Sequence, residues 1–231
     1  MMNIPTLPDP IIQCDFENVY APSDDSYLII DYFKRKINQN YFDGIKLSDI
    51  KKILDLGTGT GIIAIFFQLI KMENPNFNPE IYGSDILEDS IKCTKLNVKI
   101  NKTNNQIKLI HSDLFKSFPE KLKHSFNIII FNPPYLPSSS LIKENLNKQN
   151  IDYSWDGGLK GYELLIDFLT SAKNFINLEK EHAIYCITSS RTNLIELNKL
   201  ITNLGYINRI VEKKHIFFED IILNRLKISL G

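Results

Sequence analysis

The chain has 231 residues, and its 27 Lys and Arg residues are balanced by 27 Asp and Glu residues, so the formal net charge is zero. Hydrophobic residues make up 43% and charged residues 23%, which is typical of a globular protein and excludes a disordered or fibrous chain. A neutral chain is poorly suited to binding a long nucleic acid by phosphate neutralisation, so we do not expect a nucleic-acid partner.

The three cysteines, Cys14, Cys93 and Cys186, are widely spaced and contain no C-x-x-C pair. We therefore expect reduced thiols, and neither a disulfide framework nor a metal site. The N-terminus lacks the basic and apolar regions of a secretory signal. The most apolar helical stretch, 61–70, is about half the length that spans a bilayer. These features predict a cytoplasmic or nucleocytoplasmic protein without a membrane partner.

Predicted strands and helices alternate along the chain. The predicted helices are 23–37, 61–72, 88–100, 162–176 and 193–203, and the predicted strands are 52–56, 80–85, 106–113, 126–131, 183–188, 206–213 and 221–228. This order predicts one α/β domain over 1–231, with a seven-stranded, mostly parallel sheet, helices on both faces and an antiparallel last strand. We interpret 1–18 as an N-terminal extension and 136–159 as a substrate-side loop.

A glycine-rich loop, 55–61, joins the strand 52–56 to the helix that follows. Gly57, Gly59 and Gly61 allow the backbone to approach a ligand closely. Their spacing is G-x-G-x-G, whereas dinucleotide sites use G-x-G-x-x-G. Asp55 would repel a pyrophosphate but attract the ammonium and sulfonium of S-adenosylmethionine (SAM). The loop therefore favours SAM over NAD, and the alternative is a glycine turn without a ligand.

Two further acids end the next two predicted strands. Asp85 is placed to accept hydrogen bonds from both ribose hydroxyls. Asp113 is placed to accept from the adenine amine, and the backbone N–H of the following Leu114 can serve a ring nitrogen. The alternative for each acid is a turn residue that caps the next helix. In parallel sheets the carboxyl ends of strands meet at one edge, so we expect these acids beside the glycine loop.

The motif Asn132-Pro133-Pro134-Tyr135 follows the strand 126–131 directly. An amide or aromatic amine is a poor nucleophile because its lone pair is delocalised. The Asn132 side-chain carbonyl and the Pro133 backbone carbonyl can hold both N–H groups and orient the nitrogen toward a methyl donor. Pro134 stiffens the loop, and Tyr135 is expected to stack on the planar acceptor. The alternative is a proline turn that only ends a strand.

Taken in this order, the segment 55–61, Asp85, Asp113 and the motif 132–135 resemble those of class I, Rossmann-like SAM-dependent methyltransferases that methylate amino groups. Within this class the chain resembles the HemK-like family, which methylates the glutamine of the Gly-Gly-Gln loop in translation termination factors. The Asn-Pro-Pro-Tyr motif is shared with adenine methyltransferases.

Two other segments add to the resemblance. The stretch 20–28 is similar to the family's Tyr-x-Pro-x-x-Asp-Thr/Ser segment, which lies over the cofactor, and it implies a cofactor contact for Ser26. Ala21 departs from relatives that carry an acid there. Residues 155–158 (Trp-Asp-Gly-Gly) with Gly161 resemble the family's segment after the catalytic loop. The alternative for Ser26 is a plain first-turn helix residue.

The resemblance also implies partners. About 50 residues precede Asp55, too few for the helical substrate domain of bacterial members, which indicates the short archaeal and eukaryotic type. Short members work with a small zinc-binding activator subunit. The strand 106–113 is expected at the sheet edge, where an apolar strand needs a cover. We therefore expect a heterodimer with such a subunit through this strand.

The leading hypothesis is SAM-dependent N-methylation of a glutamine side chain in a translation termination factor, and no metal is expected in the site. The alternatives are adenine methylation in a flipped base, lysine methylation in a protein as a secondary activity, and a catalytically silent partner that binds SAM. The motif indicates a planar N–H₂ acceptor and does not distinguish glutamine from adenine.

Overall fold

The structure is a computed structural model that describes residues 7, 9–103, 106–138 and 157–229. Its helices are α1 (Asp24–Lys36), α2 (Ile62–Glu73), α3 (Glu88–Ile100), α4 (Glu163–Ala172) and α5 (Leu194–Asn203). Its strands are β1 (Tyr41–Phe42), β2 (Ile45–Lys46), β3 (Lys52–Leu56), β4 (Glu80–Asp85), β5 (Ile107–His111), β6 (Ile128–Phe131), β7 (Ala183–Ser189), β8 (Tyr206–Ile216) and β9 (Glu219–Ile228). Short 3₁₀ helices cover Leu47–Asp49 and Glu120–Leu122.

Strands β3 to β9 form one seven-stranded sheet in the order β5-β4-β3-β6-β7-β9-β8. The strands from β5 to β7 run parallel, while β9 is antiparallel to both β7 and β8. The predicted sheet and its antiparallel strand are confirmed. The chain leaves β3 toward β4 and β5 and then returns to the other side of β3 as β6, so the topological switch point lies between β3 and β6.

Each face of the sheet is covered by its own hydrophobic cluster. The helices α1 and α2 pack on one face, and α2 is apolar on nearly every side because it lies between the sheet and α1. The helices α4 and α5 pack on the other face. Every residue of β6 and β7 is buried, as expected for central strands that are covered on both sides. Within the described residues, none of the helices is long and apolar enough to cross a bilayer.

Element boundaries differ from the prediction where side chains or turns compete with regular structure. The strand predicted over 106–113 is shorter because the Gln106 N–H donates to the Thr103 carbonyl before it, and a turn begins after it at Asp113, whose carbonyl accepts from the Lys116 N–H. Phe126 makes only an isolated bridge to Ile176, so β6 begins two residues later than predicted. The final hairpin is longer than predicted because β8 and β9 pair up to Ile216.

Candidate active site

A cavity of about 480 Å³ lies at the carboxyl ends of β3, β4 and β6. Ligand sites are typically roughly 300–1,000 Å³, so the volume suits a nucleoside-sized molecule. Among the described residues that line the cavity, none is Lys, Arg or His, whereas Asp55, Asp85 and Asp113 all contribute. An acidic cavity favours a cationic ligand and disfavours a phosphate-bearing one, as the sequence predicts.

The glycine loop adopts a backbone conformation that other residues rarely take. Gly57, Gly59 and Gly61 have φ of 66°, 54° and 85°, and φ near these values strains residues that carry a Cβ. Gly57 and Gly59 line the cavity, but Gly61 does not. Instead, Gly61 begins α2 against α3, where a Cβ would lie 2.7 Å from Thr94 Cγ2. Glycine is therefore required at position 61 because a side chain would clash with α3, and not because the residue contacts the cavity.

Asp55 is buried beneath the glycine loop. Its Oδ2 accepts hydrogen bonds from Thr58 Oγ1 at 2.7 Å and from the Ala64 N–H at 3.2 Å. Burial, with a smaller contribution from the charge of Asp85, raises the pKa of Asp55 from 3.8 to about 7. The carboxyl group is therefore only partly ionised at neutral pH, and a cation in the cavity would complete its ionisation.

Asp85 ends β4 and is 8% exposed. Both carboxylate oxygens are held by backbone, Oδ2 by the Gly59 N–H at 2.9 Å and Oδ1 by the Leu87 N–H at 2.9 Å. Leu87 is the residue that precedes α3, so Asp85 performs the turn role that we considered as the alternative. Since a carboxylate oxygen has two lone pairs, both oxygens retain capacity for a ligand hydroxyl.

Asp113 and Leu114 form the opposite wall of the cavity. The Asp113 side chain is 43% exposed and pairs with Lys116 at 2.6 Å on the protein surface. Leu114 has φ of 47°, a left-handed conformation that is uncommon for a residue with a side chain. The turn brings the backbone of Leu114 to the cavity wall beside Asp113.

The loop after β6 presents an unpaired acceptor. Asn132 lines the cavity, and its buried Oδ1 has no hydrogen-bond partner among the described residues. Ser84 Oγ, also in the cavity lining, is buried in the same unpaired state. Buried polar atoms without partners are rare and costly in folded proteins. The two atoms are therefore polar groups in the cavity lining that the described residues leave unused.

The other residues of the motif lie differently. Pro134 lines the cavity, whereas Pro133 is buried and neither it nor Tyr135 belongs to the lining. Tyr135 is 7% exposed, and its hydroxyl donates to Asp25 Oδ2 at 3.2 Å. The ring packs in the core that includes α1, so the structure places it away from the position needed for the expected stacking on the acceptor.

Asp25 joins three parts of the chain beside the cavity. It accepts from Tyr20 of the preceding segment at 3.3 Å and from Tyr135. Its Oδ1 accepts from the Ser26 hydroxyl at 3.1 Å. Ser26 is buried in the first turn of α1 and lines the cavity, as the resemblance implies, while Ser23 occupies the N-cap position without a capping side-chain bond. Asp25 thus fixes the motif loop relative to the cavity.

The glycine segment 157–161 packs closely against the motif loop. The Gly157 N–H donates to the Leu136 carbonyl at 2.9 Å. A Cβ on Gly157 would lie 2.8 Å from the Pro134 carbonyl oxygen, and a Cβ on Gly161 would lie 2.8 Å from the Tyr135 carbonyl oxygen. These contacts give the glycines a backbone-packing role. Residues 139–156, with the predicted Trp155 and Asp156, lie outside the described residues.

The segment before α1 contributes Asn18, Tyr20 and Pro22 to the cavity lining. The segment before α1 runs along α3, where Asn101 exchanges two hydrogen bonds with the Ile11 backbone and Asn97 exchanges two with the Gln13 backbone. Asn97 Nδ2 also donates to the Thr60 carbonyl of the glycine loop at 2.9 Å. The sequence reasoning did not identify these contacts, for which the i,i+4 spacing of the two asparagines on α3 was the available signal.

Comparison with known proteins identifies relatives over most of the chain. The Methyltransferase small domain family matches residues 41–152. A Methanocaldococcus jannaschii protein with the name "Putative protein N5-glutamine methyltransferase" is 31% identical over 89% of this chain and 89% of its own length. Methyltransferase HEMK2 of Mus musculus is 24% identical over 88% of this chain and 89% of its own length.

Solved structures share the fold. A chain of the E. cuniculi Mtq2-Trm112 complex, described as responsible for methylating the eRF1 termination factor, has a TM-score of 0.59 at 22% identity, and the match covers 92% of this chain and 99% of that one. A SAM-dependent methyltransferase from Aquifex aeolicus has a TM-score of 0.50 at 11% identity, over 88% of this chain and 89% of its own. The resemblance, the fold class and SAM as cofactor are thereby confirmed. The chain belongs to the HemK-like family of SAM-dependent protein-glutamine methyltransferases, of the short archaeal and eukaryotic type.

Proposed function

We propose that the chain methylates the side-chain amide of the glutamine in the Gly-Gly-Gln motif of a translation termination factor, in the cytoplasm. The observation that carries the proposal is the unpaired, buried Oδ1 of Asn132 at the cavity lining. A primary amide has two N–H donors, and one of them fits this acceptor. Lys116, which pairs with Asp113, is not among the residues that line the cavity, so no cation among the described residues competes there.

When bound, SAM supplies an electrophilic methyl group on a sulfonium. The chain's part is to hold the acceptor nitrogen in line with that methyl. Asn132 Oδ1 and the Pro133 carbonyl would accept the two N–H groups and stabilise the positive charge that grows on the nitrogen. As the nitrogen–methyl bond forms, the sulfur–methyl bond breaks. The amide then loses one proton to water, so no activated Ser, Cys or metal is needed.

In this proposal, different cavity residues hold different parts of the cofactor. Asp55 faces the ammonium, Asp85 accepts from the ribose hydroxyls, and Asp113 with the Leu114 N–H holds the adenine. Gly57 and Gly59 give the backbone room beside the amino acid part of SAM. Ser26 covers the cofactor from α1, since it is buried and lines the cavity. The acidic lining supports the assignment because SAM carries a net positive charge in this part.

We also propose that a small zinc-binding activator subunit covers β5. This strand is the edge of the sheet. Ile107 is buried, but Leu109 and Ile110 are only partly buried. An edge with apolar side chains and unpaired backbone groups can add a strand from another chain. The E. cuniculi complex supports this, because one of its chains shares the present fold and is joined to Trm112.

The direct test is a transfer assay with labelled SAM, after co-expression with the activator subunit. The substrates are the termination factor, the same factor with the Gly-Gly-Gln glutamine changed to alanine, a histone and a DNA duplex. We expect label only on the unchanged factor. Label on both forms of the factor would contradict the glutamine assignment. Label on the DNA or on the histone would replace it with adenine or lysine methylation.

The pKa of Asp55 predicts how cofactor affinity depends on pH. If the ionised carboxylate holds the ammonium, affinity for SAM rises with pH, by roughly tenfold per pH unit below the pKa of about 7, and then levels. Calorimetric titration between pH 5.5 and 7.5 measures this, in the range below ordinary α-amino titration. Asp55→Asn should bind SAM more weakly, and its Kd should not change with pH over this range. If the Kd for SAM depended on pH in the same way in wild type and in Asp55→Asn, the role of Asp55 would be wrong.

The same pKa predicts a sign for the stability of the ligand-free protein. Because the pKa of Asp55 is about 7 when folded and 3.8 without its environment, the native state holds a proton that the unfolded state has lost between these values. Stability should therefore fall as pH rises from about 4 to about 7. Denaturant titrations at several pH values measure the free energy of unfolding, which should fall with pH more steeply in wild type than in Asp55→Asn. Equal pH dependence in the two proteins would contradict the prediction.

The asparagine pair on α3 predicts a positioning effect on SAM binding. Asn97→Ala removes the bonds that tie the segment before α1 to the glycine loop, and the lost buried bonds should raise the Kd for SAM by about tenfold. Asn101→Ala is the matched control because Asn101 holds only the Ile11 backbone of that segment. It should change the Kd less than threefold or so. Equal effects, or a fall in kcat at saturating SAM, would contradict this role.

A further inference from the structure

The hairpin of β8 and β9 extends beyond the edge of the sheet that carries the active site. Phe131 at the end of β6 is level with Cys186 of β7, and Cys186 pairs with Asn224 of β9. From that level β9 reaches back to Glu219, roughly 16 Å at about 3.3 Å per residue. β9 is two strand spacings from β6 and β8 is three, or roughly 10 and 14 Å sideways. The hairpin therefore stands as a wall beyond the carboxyl edge of the sheet, two strands from the one that Asn132 follows.

Several bonds hold this overhang in place. Ser190 exchanges backbone and side-chain bonds with Asp220, at 2.9 and 2.8 Å. The Ser189 hydroxyl donates to Glu219. Lys214 pairs at 2.8 Å with Asp24, at the start of the helix that covers the cavity. The hairpin is thus fixed to both the sheet and α1, so its tip has a defined position beyond the carboxyl edge of the sheet.

The tip consists of two aromatic residues in water. Phe217 is 88% and Phe218 is 97% exposed, and they alone connect Ile216 to Glu219. Phe217 has φ of 49°, in a two-residue turn where Gly, Asn or Asp is the usual choice. Neither ring contributes to the core. Two exposed phenylalanine rings lower solubility, and a phenylalanine at positive φ is unfavourable in this turn. Residues that carry both costs indicate a binding role.

The charges around the tip indicate which macromolecule it meets. Lys213 pairs with Asp220 at 2.6 Å and Lys214 pairs with Asp24. His215 also faces Asp220, at 2.8 Å. The cations of the hairpin end are therefore neutralised by acids, which disfavours a phosphate backbone and leaves apolar contact as the main attraction.

We propose that the tip formed by Phe217 and Phe218 docks the protein substrate, by seating the two rings in an apolar depression beside its acceptor loop. The inference rests on the proposed function. An acceptor loop that reaches Asn132 brings the flanking surface of its own protein against the wall. The tip then adds to the affinity for the whole protein but not to the affinity for a short acceptor peptide. This difference explains how the chain can select a whole protein.

The double variant F217G/F218S tests the proposal, because Gly and Ser suit the turn and should leave the thermal midpoint unchanged or raised. Assayed with the activator subunit, it should raise KM for the termination factor at least about tenfold. The kcat, the Kd for SAM and the KM for a short Gly-Gly-Gln peptide should stay at wild-type values. Ile207→Ser is the matched control, since Ile207 is 61% exposed on the same strand at the opposite end.

The outcomes separate this inference from the proposed function. If wild type methylates neither factor nor peptide, the proposed function fails. If wild type methylates both and F217G/F218S has an unchanged KM for the factor, the docking role is wrong. Loss of DNA affinity alone would assign the tip to nucleic acid. A change from dimer to monomer on a sizing column, with unchanged KM, would assign it to a second copy of this chain.

Discussion

Replacing Asn132 by alanine should lower kcat by roughly 10²–10³ while the Kd for SAM stays within about threefold, since one positioned polar contact to the reacting group has this magnitude. Asn132 Oδ1 is buried at the cavity without a partner among the described residues. In the proposed mechanism the alanine removes an acceptor for the substrate amide, and Asn132 Oδ1 has no bond to lose among the described residues. Single-turnover methylation with labelled SAM, beside calorimetric SAM binding, measures the two quantities separately.

Asn208→Ala is the matched control for this prediction. Asn208 Oδ1 is also buried without a partner among the described residues, but Asn208 lies on β8 and does not line the cavity. Its replacement should leave turnover unchanged. A silent SAM-binding protein would show no turnover in any form. If Asn132→Ala keeps wild-type turnover, the acceptor is held by other groups and the proposed chemistry is wrong.

Gly161→Ala should lower kcat by about 10², because misplacement of a catalytic loop by about 1 Å has an effect of this size. Gly161 has φ of 81°, and its new Cβ would lie 2.8 Å from the Tyr135 carbonyl oxygen and 2.8 Å from the Pro137 nitrogen. The motif loop or the glycine segment must shift. The free energy of unfolding should also fall, by about 1–2 kcal/mol for the backbone conformation and about 1–3 kcal/mol for the contact.

Gly205→Ala separates the two causes. Gly205 has φ of 77°, close to that of Gly161, but its nearest atom to a new Cβ is Lys173 Nζ at 3.7 Å. The control should lose only the backbone contribution to stability and should keep wild-type kcat. Denaturant unfolding and turnover at saturating substrates measure both. Equal losses of kcat in the two variants would show that the effect is not transmitted through the motif loop.

Much of the site followed from local sequence because of the way parallel sheets are built. β3 and β4 were predicted at their observed boundaries, since each is a short strand with an acid at its last or second-to-last residue. Ligands bind at the carboxyl ends of such strands. The glycine loop, Asp85 and Asp113 could therefore be assigned to one cavity before any contact was known. Asp85, Asp113 and every residue of the loop except Gly61 line it.

The motif loop shows where this reasoning stops. The residue types predicted that Tyr135 faces the acceptor, but its hydroxyl is bonded to Asp25, which precedes it by 110 residues. Gly157 and Gly161 suggested no function from their own spacing, and their resemblance to the family gave no reason for the glycines. The reason is close backbone packing against Pro134 and Tyr135, which depends on how two distant loops meet.

The sequence by itself determined the alternation of strands and helices, the acidic and glycine-rich cavity edge, and the acceptor motif after β6, because these depend on local hydrophobic periodicity and on residues adjacent to strand ends. The tertiary structure decided which polar groups remain for a ligand. Asp85 already receives two backbone N–H groups, whereas Asn132 Oδ1 has no partner among the described residues. Hydrogen-bond satisfaction depends on segments far apart in the chain, and local sequence does not contain that information.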